Sequence, residues 1–169
     1  MLGGMADPTD KWNPIESIGA TGTTVATNVK RLRKDRGLAF TDLSARLTDI
    51  GRPIPPLGLR KIESGGRRVD ADDLVALALA LDVSPVTLLM PDSPGGDSEV
   101  EVTGLSEPRA AGQVWEWLTS TGPGPLSNGM SRLMFGARAW PQWVHEATEF
   151  AYLLRDLKAA GAKFRGDDQ

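Results

Sequence analysis

Apolar residues recur along this chain at intervals of three and four in some stretches and are absent from others, and the alternation marks its elements. Val25, Val29 and Leu32 predict a first helix from about Thr23 to Arg36, with Gly37 as its stop. Leu43, Leu47 and Ile50 predict a second from about Phe40 to Asp49, interrupted by Gly51 and Pro53. A short third helix is expected over residues 56–64. Pro56 suits its first position, where the missing N–H is not needed, Leu59 and Ile62 face inward, and Gly65 and Gly66 end it. Asp70 is a natural N-cap for a fourth helix, Asp72 and Asp73 complement the positive end of its dipole, and Leu74 to Leu81 form its apolar body. Ser84 and Pro85 open a fifth, closed by Pro91.

Beyond this the pattern loosens. Residues 92–98 are rich in Pro, Gly and Ser and read as a linker. Acid and valine alternate from Glu99 to Thr103, which fits a short strand. Arg109 to Leu118 reads as helix, with Val114, Trp115 and Leu118 on one side, and residues 119–139 read as a long loop. Pro141 starts a final helix to about Ala160, on which Trp143, Ala147, Phe150, Leu154 and Leu157 form a stripe. The expected fold is therefore all-α. A flexible arm (residues 1–21) precedes a five-helix unit (22–91), a linker (92–98), and a mostly helical C-terminal region (99–169) with at most one or two short strands.

Composition narrows the chemistry. The chain has no cysteine, and one histidine, His145, supplies neither a zinc cluster nor a catalytic triad, so no metal, cofactor or enzymatic activity is expected. Glu146 and Glu149 beside His145 lie opposite the apolar stripe and read as surface. No run approaches the roughly 18 apolar residues of a membrane span. The N-terminus lacks the basic start and apolar centre of a secretory signal. A cytoplasmic protein without membrane contact is expected.

The net charge of −3 conceals an asymmetry. Residues 28–68 carry 11 Lys or Arg against 4 Asp or Glu, a balance of +7, which leaves −10 for the remainder. A basic segment within an acidic chain hints at nucleic-acid contact, although a solvated basic face would read the same way.

The segments VKRLRKDRGLAF, TDLSARL, PPLGLRKIESGGRR and VDADDLVALALALDVSPVTLLMP, in this order, resemble the XRE family of lambda-repressor-like helix-turn-helix domains over about residues 24–91. The resemblance implies that the 56–64 helix enters the major groove, which is wide enough for one α-helix. It places Pro56, Leu57 and Lys61 where the family reads bases. Pro56, Leu57 and Gly58 cannot make bidentate hydrogen bonds, so direct readout would rest on Lys61 and Arg60. Gly58 implies a close approach, either to DNA or within the protein. Arg67 and Arg68 fall where the family contacts phosphate, and Lys30, Lys34, Arg36 and Arg52 are further candidates. Arg33 and Glu63 fall where the family often has a structural ion pair. The turn DIGRPIP is longer than the family's minimum, so the docking angle is not carried over.

On these grounds the chain is expected to be a sequence-specific regulator of transcription on double-stranded DNA. It would act as a repressor and a homodimer, with a temperate-phage immunity repressor as one form. The aromatic-rich C-terminal region and its stripe would form the dimer interface or pack back on Trp115 and the first domain. Alternatives are an antitoxin or adaptor that binds a protein through residues 99–169, and a low-specificity DNA binder.

Overall fold

In the computed structural model, which describes residues 18–123 and 132–147, the apolar stripe of the first helix is buried as its spacing requires. Helix α1 (Ala20–Asp35) places Val25, Val29 and Leu32 in the core and begins three residues earlier than expected. Helix α2 (Phe40–Asp49) buries Leu43 and Leu47 completely. Its first turn is capped by the Asp42 carboxylate, which accepts the Ala39 N–H at 2.8 Å. Ile50, expected inward, follows the last helical residue and is 46% exposed.

Helix α3 (Pro56–Glu63) opens on its proline and buries Leu59 and Ile62. Helix α4 (Ala71–Ala80) is capped by Asp70, whose side chain accepts the Asp73 N–H at 2.7 Å. Helix α5 (Pro85–Leu89) is capped by Ser84, which accepts the Val86 N–H at 3.2 Å. Helix α1 packs on α3 and α5, α2 packs on α3 and α4, and α4 packs on α5. Their shared core also takes Ile54, from the loop before α3. An eight-residue helix is unstable alone, so the position of α3 is decided by what it packs against.

Strands β1 (Glu99–Val100) and β2 (Arg109–Ala110) pair in a two-stranded sheet. Residues 92–98, expected as the linker between domains, lead into a stretch that returns to the start of α1. There Thr21 and Thr103 each donate a backbone N–H to the other's hydroxyl, at 3.1 and 3.0 Å. The chain divides into two compact units later, between Arg109 and Ala110.

In the second unit, α6 (Ala111–Leu118) buries Ala111 and Val114, while Trp115 on the expected apolar side is 48% exposed. Helix α7 (Arg132–Ala139) stands inside the stretch expected as a loop. Its Gly136 lies against Trp140, where a Cβ would come within 3.0 Å of the indole. Trp140 Nε1 donates to the Ser120 carbonyl at 2.8 Å. Residues 142–147 are helical, as expected for the start of the last helix. Of the expected stripe, Trp143 is 71% exposed and Ala147 is exposed. Phe150, Leu154 and Leu157 lie outside the described residues, as do residues 1–17 of the expected arm. Among the described residues no helix is long and apolar enough to cross a membrane.

Candidate nucleic-acid interface

At 3.6 residues per turn, Leu59, Ile62 and Glu63 take the inner side of α3, and Leu57, Lys61 and Ser64 take the opposite side. Exposure follows this division. Leu57 is 64% exposed and Lys61 is exposed, whereas Pro56 is half-buried. Arg60 is exposed on the shoulder of the helix, with its guanidinium 4.8 Å from the centroid of the Phe40 ring. The four residues expected to read bases therefore share one short helix. Two of them, Leu57 and Lys61, point directly away from the core.

The C-terminal end of α3 is tied to α1. Arg33 is 8% exposed, and its Nε and Nη2 donate to the two carboxylate oxygens of Glu63, the latter at 3.0 Å. Its Nη1 donates to the Leu38 carbonyl at 2.8 Å, and the guanidinium stacks on Phe40 at 4.0 Å. The hydrogen bonds to Glu63 hold the Arg33 pKa above its ordinary value, against the opposing effect of burial. The expected ion pair is present.

Two of the expected phosphate candidates, Arg52 and Arg67, hold carboxylate partners within the protein. Arg52 Nε donates to Asp73 Oδ1 at 2.9 Å and its Nη2 reaches both oxygens of Asp70, at 3.2 and 3.0 Å. Arg67 Nη2 donates to Asp73 Oδ2 at 2.6 Å. Both arginines are thus paired with carboxylates at the N-terminus of α4, while their own side chains stay partly exposed. The physical reason is Asp73, whose side chain is only 2% exposed. A carboxylate that far from water requires paired cations. The hydrogen bond to Asp73 is also the first cause of the raised Arg52 pKa. Lys30, Lys34, Arg36 and Arg68 are exposed, with Arg36 Nη1 resting on the Leu32 carbonyl at 3.3 Å.

Gly58, whose close approach was open between DNA and protein, lies against the protein. A Cβ there would sit 3.0 Å from Arg67 Nη1 and 3.1 Å from Ile54 Cγ2. Two structural residues escaped the sequence reading. Asp73 passed as a helix-dipole residue, although an acid directly before Leu74 on a capped helix has its side chain beside the preceding loops. Asn28, 1% exposed, donates through Nδ2 to the carbonyls of Thr87, Leu88 and Met90, closing the C-terminal end of α5. The available signal was an amide set within the stripe of Val25, Val29 and Leu32.

Comparison with protein-family models, curated proteins and solved structures finds no match to this chain. Function therefore rests on the site itself.

Proposed function

We propose that residues 20–91 form a lambda-repressor-like helix-turn-helix domain and that the protein is a sequence-specific transcriptional regulator, with α3 in the major groove of double-stranded DNA. One observation carries this reading. A short helix, buried by Leu59 and Ile62, turns Leu57 and Lys61 outward, with Arg60 at its shoulder. Lys61 supplies a donor for a guanine edge and Leu57 an apolar contact for a thymine methyl. Exposed Lys30, Lys34, Arg36 and Arg68 are the phosphate candidates. A homodimer would present two such helices to paired half-sites. The exposed Trp143 in the second unit offers one face for it.

Selection of bound duplexes from a random pool tests the reading. A shared motif that random DNA fails to displace at physiological salt supports it, and equal competition by random DNA overturns it. Lys61→Ala should then alter preference at one base position by about 1–3 kcal/mol. Lys34→Ala should weaken all duplexes alike and flatten the log–log salt slope by about one unit. Identical effects of the two would remove Lys61 from base reading.

A second reading, a DNA binder of low specificity, is favoured by one feature. The first turn of α3 offers Pro56, Leu57 and Gly58, none of which can hydrogen-bond a base through its side chain. The same competition experiment separates the two.

A further inference from the structure

The loops on either side of α3 converge on a single carboxylate. Arg52 belongs to the loop between α2 and α3, and Arg67 to the loop between α3 and α4. Each donates to a different oxygen of Asp73, at 2.9 and 2.6 Å. Asp73 is itself held, since its N–H donates to Asp70, whose carboxylate also receives Arg52. The network is closed, and its centre is shielded from water. Arg67 does more than pair. Its Nη1 lies over the first turn of α3 at Gly58, where a side chain would crowd it. The opposite end of α3, with Lys61 in its last turn, is tied to α1 by Arg33 and Glu63, and the clasp on Asp73 is the ionic tie beside the first turn, where Leu57 lies.

We infer that Asp73 is a positioning residue for the first turn of α3: by holding Arg52 and Arg67, in the loops on either side of the helix, it sets the pose in which Leu57 is presented to base edges and, together with the Arg33–Glu63 tie at the other end, that of Lys61. It acts through the two arginines and touches no DNA. This rests on the regulator reading and adds the device that supports it. It also accounts for a helix-weakening glycine in the first turn of an eight-residue helix, because any larger residue at position 58 would press on Arg67 or Ile54.

The test uses the full chain and two measurements, one of which involves no DNA. Backbone hydrogen exchange is followed in wild type, Asp73→Asn, Arg67→Gln, Arg67→Lys and Gly58→Ala. Binding to the selected duplex and to random duplex is measured in parallel across a salt series. In Asp73→Asn and both Arg67 variants, exchange over residues 55–64 should quicken by about ten-fold while α1 keeps its protection. The preference for selected over random duplex should fall by about ten-fold, with random binding and the salt slope unchanged. Arg67→Lys, which keeps the charge and loses the fork, should behave as Arg67→Gln does. Gly58→Ala, which keeps Asp73 and both arginines but presses on Arg67 and Ile54, should lose preference in the same way.

A uniform loss of binding with a slope flatter by about one unit in Arg67→Gln would put Arg67 on phosphate and overturn the proposal. So would unchanged exchange in the 55–64 segment. Absence of duplex binding by the wild type would instead overturn the regulator reading, while exchange still decides whether the clasp holds α3.

Discussion

The two ends of α3 are anchored by the same chemistry in different surroundings. At the C-terminal end both partners are dry, with side-chain exposures of 10% for Arg33 and 6% for Glu63. At the other end the carboxylate of Asp73 is dry, at 2%, but Arg52 and Arg67 are 40% and 36% exposed. A charge that loses its partner in the first setting has nothing to replace it. In the second, water and salt reach the arginines and soften the loss. The same chemistry thus serves unequal mechanical roles. One tie joins α1 to α3 out of reach of solvent, and the other is a clasp whose arginines solvent reaches.

The largest expected effect tests the dry end. Glu63→Ala should destabilise the first unit by about 3–5 kcal/mol in urea unfolding, because it strands the buried Arg33 guanidinium. The double replacement Arg33→Met with Glu63→Leu should recover much of that loss, since no charge then remains in the core. A single-variant cost below about 1 kcal/mol would place this pair with ordinary surface bridges and erase the contrast between the two ends.

A smaller effect tests the wet end. Arg67→Gln should cost about 1–2 kcal/mol at low ionic strength, discounted from a fully buried pair by the exposure of the guanidinium. The cost should shrink in about 0.5 M salt, where the screening length falls to a few ångströms. For Glu63→Ala the cost should hardly change with salt. Matching salt dependence in the two variants would show that exposure does not distinguish the ties.

The same contrast explains what could be read from the residues alone. Helices α1 to α5 were legible because their signals are local: apolar spacing in Val25, Val29 and Leu32, the Asp70 cap, and Pro85 after Ser84. The pairing of Arg33 with Glu63 was legible only through a family resemblance, since no spacing rule joins residues 30 positions apart. The partners of Arg52 and Arg67 were illegible for a related reason. Exposure and charge make an arginine a plausible phosphate ligand wherever it lies, and only the fold brings Asp73 to it. Helix α7 failed differently. The Gly, Pro and Ser of residues 119–139 read as a long loop, but Gly136 is the position that gives the Trp140 indole room to lie against the helix. Trp140 is held in turn by the Ser120 carbonyl, 20 positions away, a contact that no local pattern announces.

The smallest effect concerns Asp70, the most exposed carboxylate that the clasp uses as a hydrogen-bond acceptor, at 62% for its side chain. Its pKa lies below the ordinary carboxylate value of 3.8, first because it accepts the Asp73 N–H, with burial opposing and the charge of Arg52 assisting. A carboxyl group whose pKa is lowered on folding stabilises the protein when ionised. That contribution is fully present above the unfolded-state value and is lost as pH falls through the folded-state value. Asp70→Asn isolates the charge, because asparagine is as good an N-cap as aspartate and keeps an oxygen for the Asp73 N–H. The stability difference between wild type and Asp70→Asn should stay level from about pH 7 down to about pH 5 and close below about pH 4. A difference that persists unchanged into acid would mean that the variant disturbs the cap rather than the charge. The clasp would then rest on Asp73 alone.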